Sequence, residues 1–445
     1  MTRSAEVVVV GAGFAGLTAA RTLSEAGVDV VVLEASGRVG GRTETVQRNE
    51  LWLEAGGQWV GPGQRRVLAL AERLGVELFD TPSTGITLER RGGGWREMDA
   101  DPEYADVVTT IDALASDIPS DEPWRAADGE RLDALTVGEW IAHNVPEPKR
   151  AAVRQVLEGL MTVPASEMSM LTLLHGARTS GSLAAALGIE GGAQEQRLVG
   201  GLHEIAVRMA DQLSDAIRLS TPVRRLQQSD TGVVAITDGA EYEAPHCIVA
   251  APPSAWTSIE FAPGLPEAHQ RLSSVMPLGS VIKLQLVYPR PFWRDAGLSG
   301  LVIDDTGPFA FMVDNSPPDR PEGVLATFLS AGEARRYSDR KLGSDAVDIR
   351  RRMFAEHVQN VFGTSSPAPI DYYDRDWASV PWIGGGYSGV MAPGGWLSSG
   401  PALRQAVGRL HWASAESALA WNGYVEGAIE AGERVARDVI AQLDR

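Results

Sequence analysis

The sequence predicts an α/β chain of two domains, one organised on a Rossmann-like βαβ unit and the other of mixed α+β character. Three observations carry this reading. A valine run, Val7 to Val10, reads as a short buried strand that turns through Gly11-Ala12-Gly13-Phe14-Ala15-Gly16 into a helix ending near Gly27. A second apolar run, Val28 to Leu33, ends on Glu34. The length, 445 residues, exceeds one ordinary core.

Each part of the first unit has a physical task. Gly11 allows the tight turn, Gly13 lets backbone approach a pyrophosphate, and Gly16 lets the helix pack close to the strand. The helix opens at Phe14 and Ala15, so its N-terminus offers free N–H groups to phosphate. Glu34 lies 23 positions after Gly11. At that distance an acid can accept hydrogen bonds from a ribose hydroxyl. Together these features point to a dinucleotide, but NAD and FAD share an ADP-ribose half, and the motif leaves both open.

The next residues separate them. Glu34-Ala35-Ser36-Gly37-Arg38-Val39-Gly40-Gly41-Arg42-Thr43 places two arginines around a glycine pair. A guanidinium donates to phosphate oxygens in pairs. The stretch resembles the flavin-containing amine oxidases, in which Glu-Ala-x-x-Arg-x-Gly-Gly-Arg closes over FAD. The resemblance implies a two-domain flavoprotein. Its FAD-binding domain is expected from residues 1–79, 195–256 and 376–445, and its α+β substrate domain from 80–194 and 257–375.

Composition narrows the classes. Apolar content of 44% and charged content of 22% describe a soluble globular chain. No apolar run approaches the ~20 residues that span a membrane. The valine run lacks a basic leader, and the end, Ala441 to Arg445, lacks an apolar tail. No signal peptide and no membrane anchor are therefore expected. The net charge of −18 argues against nucleic acid and could steer cationic substrates inward. The single cysteine, Cys247, reads as a small buried hydrophobe, and a cytoplasmic location fits. The seven histidines show no ligand spacing, so no metal site is expected.

Taken in order, Glu54-Ala55-Gly56-Gly57-Gln58-Trp59 suggests backbone passing close to a planar group. In the resembled family this Gly-Gly-x-Trp segment lies against the flavin. Residues 64–75 read as a helix stopped by Gly75, and Ile86 to Glu97 as a hairpin interrupted by Arg91-Gly92-Gly93-Gly94. Helices are expected over 101–118, 136–144, 148–162 and Met170 to Thr179, with Thr136 and Glu139 forming a capping box. Gly191 to Gly201 resembles the family's return crossing, followed by a helix from Leu202 to Leu213. Three short strands are then expected before Cys247 to Ala251. The resemblance places the adenine at the backbone of Val223.

Val281 to Tyr288 reads as a strand in which Lys283 and Gln285 share one face. Taken alone, Lys283 reads as a gatekeeper charge on an edge strand. The resemblance gives it another role, since the family's matching lysine reaches flavin N5 through a water and assists reoxidation. A strand from Ile370 to Asp376 then leads to Trp377, at the family's position beside the isoalloxazine ring. Gly386 stands where several members carry a cysteine bonded to FAD, so non-covalent FAD is expected. The last segment implies that Glu416 helps hold the ribityl–phosphate region. Gly423, Tyr424 and Val425 then open a closing helix, with the Val425 N–H at the flavin pyrimidine oxygen.

Tyr387 and Tyr424 match two family tyrosines that face each other before the flavin. The implied reaction oxidises an amine to an imine, then a carbonyl, with O2 reduced to H2O2. A small primary or secondary amine ranks first as substrate, a di- or polyamine second and an amino acid third. For an amino acid, Arg178 is the carboxylate candidate; for a polyamine, Glu190 and Glu195 are acid candidates. An L-amino acid oxidase, a flavin desaturase acting on a carbon–carbon bond and a non-enzymatic flavoprotein remain alternatives. The expected partners are the amine and O2, and a homodimer is one assembly such a chain could form.

Overall fold

The computed structural model describes residues 2–91, 93–99 and 101–443. Gly92, in the expected hairpin turn, and Asp444 and Arg445, at the expected tail, lie outside the described residues. The strand Val7–Val10 is central in a five-stranded parallel sheet. Its order is Ile217–Arg218, Val30–Leu33, Val7–Val10, His246–Val249, Leu410–Trp412. A parallel sheet needs both faces covered, and the valines divide accordingly. Val7 and Val9 pack with Phe14 and Leu17 of the helix Phe14–Glu25 and with Val435 of the closing helix Val425–Leu443. Val8 and Val10 join the core that holds Leu226, Ala235 and Tyr242 of the strands Val223–Gln228, Val233–Thr237 and Glu241–Ala244. Gly16 is required where helix meets strand, because a Cβ there would lie 1.9 Å from the Gly11 carbonyl oxygen.

The helices of the 102–187 region form where their caps and apolar spacing direct. Asp101 accepts the Tyr104 N–H and starts Pro102–Ser116. Thr136 and Glu139 form the expected reciprocal capping box ahead of Val137–Asn144. Arg150–Met161 and Met170–Thr179 follow.

A seven-stranded sheet faces this region. Its order is Asp371–Asp376, Val281–Tyr288, Gly323–Ser330, Phe311–Asp314, Leu298–Ile303, Ile86–Arg91, Gly94–Glu97. Val281–Tyr288 is buried along its whole length and antiparallel to a strand on each side. It is therefore no edge strand, and the gatekeeper reading of Lys283 does not hold. A second five-stranded sheet is built on Val223–Gln228, Val233–Thr237 and Glu241–Ala244. With Ile217–Arg218, four strands precede His246–Val249 where three were expected, because two residues suffice to pair with Val32 and Leu33. Among the described residues no helix is long and apolar enough to cross a membrane. None of their His, Cys, Asp and Glu side chains form a group of three suited to a metal ion.

Candidate active site

The carboxyl ends of the parallel strands and the inner face of the seven-stranded sheet enclose one cavity of about 1130 Å³. Carboxyl ends of parallel strands are where ligands of open α/β sheets bind. The sheet contributes Gly11, Gly13, Phe14, Ala15, Glu34 and Ala35 to the wall. The helix Phe14–Glu25 begins on Gly13 with no side-chain cap, so its first N–H groups face the cavity unclaimed by a side chain. Glu34 Oε2 accepts the Ala12 N–H at 2.6 Å and Oε1 accepts the Ser36 N–H at 2.8 Å. Oε1 also accepts the Ser36 hydroxyl at 2.7 Å, so these bonds fix the carboxylate at the wall and leave Oε2 a further lone pair.

Gly40, Gly41 and Arg42 also line the wall, but Arg38 does not. The Arg38 guanidinium donates to the carbonyls of Val39, Gly41 and Thr43 at 2.8 to 3.0 Å. These bonds hold the glycine turn in shape, and the guanidinium lies 5.9 Å from the Trp377 ring centroid. Glu416 also stands behind the wall. Its carboxylate takes both Arg42 nitrogens at 2.6 and 3.3 Å and the Gly389 N–H at 2.8 Å. Burial alone would raise its pKa, but Arg42 and the Gly389 N–H outweigh burial and hold it below the ordinary carboxylate range. Glu416 therefore acts on the site through Arg42. Gly16 also stands off the wall, as its packing task requires.

The opposite wall carries Gly56, Gly57, Gln58, Trp59, Lys283, Trp377 and Tyr387. Trp377 is buried and anchored by its Nε1 donating to Ala55 O at 2.9 Å. Lys283 is 2% exposed, with Nζ donating to Gly56 O at 3.1 Å and to Gln58 Oε1. It lies 5.8 Å from the Trp59 ring centroid and 5.6 Å from that of Phe328. Burial pulls its pKa down to about 7, with Glu54 opposing and Arg197 adding to the fall. Val223 lines the nucleotide end, and Gly423, Tyr424 and Val425 complete the wall. Val425 opens the closing helix, so its N–H is one of the unsatisfied donors of a helix start.

Both tyrosines line the cavity near enough to interact electrostatically. The Tyr387 ring packs edge-on against Phe328 at 6.1 Å, and that of Tyr424 edge-on against Trp421 at 5.1 Å. Desolvation within the cavity pushes the Tyr424 phenol up to about 12 and raises Tyr387 as well, so both stay neutral. Ser330 pairs with the Tyr387 hydroxyl and Ser180 with that of Tyr424.

The wall fits a flavin dinucleotide on its own evidence. A Cβ on Gly13 would meet only Gly41 Cα, at 3.9 Å, so the glycine leaves room at the wall that the fold itself does not need. Trp59 Nε1 is buried without a partner. Gly13, the Phe14 helix start and Glu34 suit pyrophosphate and ribose, while Trp377, Lys283 and Val425 suit a planar electron acceptor.

Several site residues escaped sequence reasoning. Thr162 Oγ1 donates to Gly386 O at 2.7 Å and accepts the Tyr387 N–H at 3.1 Å. Gln194 lines the cavity with a buried Oε1 that lacks a partner. The only available signal was its place in the return crossing. Arg178, by contrast, is exposed and off the wall, and so is Glu190; Glu195 accepts the Gly191 N–H in its own turn.

A family model described as flavin containing amine oxidoreductase matches residues 14–440. Amine oxidase [flavin-containing] B of Canis lupus familiaris is 33% identical, the match covering 100% of this chain and 88% of the relative. A solved putrescine oxidase bound to putrescine superposes with a TM-score of 0.94 at 30% identity, over 99% of this chain and 100% of the other. Cyclohexylamine oxidase from Brevibacterium oxydans superposes with a TM-score of 0.94 at 28% identity, over 100% of each chain. The cavity, its glycine turn and its tyrosines thus stand in a chain that belongs to the flavin-containing amine oxidoreductases.

Proposed function

We propose that this amine oxidoreductase takes a monoamine with an apolar tail, holds FAD non-covalently and passes the electrons to O2, releasing H2O2. The observation that carries the substrate class is the charge of the wall. Outside the nucleotide turn, the acids lining the cavity are Glu89, Asp99, Asp101 and Asp305. Asp99 and Asp305 are exposed, Glu89 pairs with Arg96 at 2.8 Å, and Asp101 pairs with Lys149. Among the described residues the wall thus offers no buried carboxylate left over for a second ammonium, and burying one unpaired is costly. Leu160, Met161, Leu187, Ile189 and Phe328 supply apolar surface instead. The exposed acids and the net charge of −18 favour the approach of a cation.

FAD, when bound, supplies the two-electron acceptor for the hydride of the amine α-carbon. The chain's own residues do the rest. The two tyrosine rings orient the amine and strip its water, and their neutral hydroxyls put no charge beside it. Lys283 presents a cation where negative charge develops during reoxidation. Non-covalent attachment is supported by Gly386 at the cavity and by Cys247, buried in the parallel sheet away from the wall. Residues 1–79, 195–256 and 376–445 hold the cofactor, and 80–194 and 257–375 the substrate. A cytoplasmic location belongs to the same reading, supported by the single reduced cysteine.

Anaerobic mixing of the yellow protein with alkyl and aryl monoamines, putrescine, spermidine and L-amino acids tests the substrate class. Bleaching of the flavin band by the monoamines first is expected. Faster bleaching by putrescine would replace this reading with a diamine oxidase. Acid precipitation should leave the flavin in the supernatant; colour in the pellet refutes non-covalent binding.

A further inference from the structure

A buried chain of side-chain amides ends on Lys283. Nζ donates to Gln58 Oε1. Gln58 Nε2 donates to Asn315 Oδ1 at 2.6 Å, and Asn315 Nδ2 to Gln285 Oε1 at 3.0 Å. Gln285 Nε2 then donates to the backbone carbonyl of Glu54 at 3.2 Å. Gln58, Gln285 and Asn315 are all buried.

The two ends fix the direction of the chain. A lysine ammonium only donates, and a backbone carbonyl only accepts. The three amides between them are all satisfied only when every oxygen turns toward Lys283. Reversing one sets oxygen against oxygen or N–H against N–H in a dry interior. The negative ends of three aligned dipoles therefore face the ammonium. Other charges near Nζ are committed elsewhere. Glu54 is held by Arg197 at 2.7 and 2.9 Å. On the flanking strands the cross-strand neighbours are Phe328 and Arg375, and Arg375 is engaged with Glu44 at 2.6 Å.

We propose that Gln58, Asn315 and Gln285 are positioning residues whose aligned amides fix Lys283 Nζ at the cavity wall and keep it cationic. The inference rests on the proposed role of Lys283 in returning electrons to O2. It adds Asn315 and Gln285, which stand outside the wall.

The chain has three lysines, Lys149, Lys283 and Lys341. Lysine carrying 13C at Cε gives one resonance for each, and Lys283→Met identifies the one that matters. The holoenzyme is titrated as wild type, Asn315→Leu and Gln285→Leu. The Lys283 midpoint should fall by about one pH unit in both variants. Reoxidation of the amine-reduced flavin should then decline at correspondingly lower pH, with anaerobic reduction unchanged. Either variant breaks the alignment, so if one fails to fold the other decides. A Lys283 midpoint equal to wild type in a folded variant overturns the proposal. A lowered midpoint with an unmoved reoxidation profile leaves the amide chain standing and removes the role of Lys283 in reoxidation.

Discussion

Arg42 and Glu416 are joined by two contacts, 2.6 Å from Nη1 to Oε1 and 3.3 Å from Nη2 to Oε2, across 374 residues of sequence. The pair ties the glycine turn of the nucleotide unit to the loop that carries Tyr387. Arg42 Nη1 also donates to Tyr387 O at 2.9 Å. The glycine turn and the Tyr387 loop are thus set by one link whose carboxylate is buried and whose guanidinium is part-exposed.

This link gives a pH prediction. The Glu416 carboxyl is held below its ordinary range, so it is ionised folded at a pH where it is protonated unfolded. Its contribution is present above the unfolded value, about 4.3, and lost as pH falls through the folded one. Flavin retention and melting temperature should drop together below about pH 4. Glu416→Gln should lose part of that acid limb and lower stability at neutral pH by about 3 kcal/mol, since Arg42 loses its buried partner. Thermal melts monitored by flavin fluorescence between pH 3 and 8 check both. A Glu416→Gln protein with an unchanged acid limb would show that the link carries nothing.

Thr162 makes a second prediction. Its backbone sits at φ 58°, a region costly for a β-branched residue, yet its hydroxyl serves both Gly386 and Tyr387. Thr162→Ser keeps the hydroxyl and should match or exceed wild-type stability and kcat/KM. Thr162→Val keeps the shape but strands the Tyr387 N–H, at a cost of about 1–3 kcal/mol. It should also lower kcat/KM about tenfold by loosening Tyr387. Equal behaviour of the two variants would show that the shape of Thr162 matters and its hydroxyl does not.

The strand Val281–Tyr288 was legible from alternation and β-branching, residue for residue. The burial of Lys283 was not, because a strand is central or edge according to partners far along the chain, here Gly323–Ser330 and Asp371–Asp376. The glycine motif likewise revealed its unit but not the fate of Arg38. Whether a guanidinium points to ligand or to its own loop depends on how that loop closes, and here three carbonyls capture it. Over residues 101–179 the caps betray the helices, since Thr136 and Glu139 form a local pair. Which side chains those helices send to the cavity is a matter of tertiary placement, so Thr162 went unseen and Arg178 drew attention that its exposure does not support.

Lys283→Met should slow reoxidation of reduced enzyme by about 100-fold or more, the scale of losing a preorganised charge at a reacting centre. Reduction by amine under anaerobic conditions should change little. Stopped-flow measurement of each half-reaction separates the two effects. Equal slowing of both would assign Lys283 to packing, which its contacts with Trp59 and Phe328 also allow.

Gly13 and Gly16 belong to one motif and should fail differently. A Cβ on Gly16 would lie 1.9 Å from Gly11 O and 3.1 Å from the Ala250 Cβ, so Gly16→Ala forces helix and strand apart. That is an overpacking defect of about 1–3 kcal/mol or more, and it should lower the melting temperature of protein stripped of cofactor. Gly13 sits at φ −73°, open to any residue, and a Cβ there meets only Gly41 Cα at 3.9 Å. Gly13→Ala should leave the stripped protein as stable as wild type. Its methyl instead occupies the space through which backbone approaches a pyrophosphate, so FAD affinity should fall by about tenfold or more. Melting of stripped protein and FAD titration together distinguish the two glycines. If Gly13→Ala binds FAD as wild type does, the phosphates lie elsewhere on the wall, and the dinucleotide assignment of this turn fails with them.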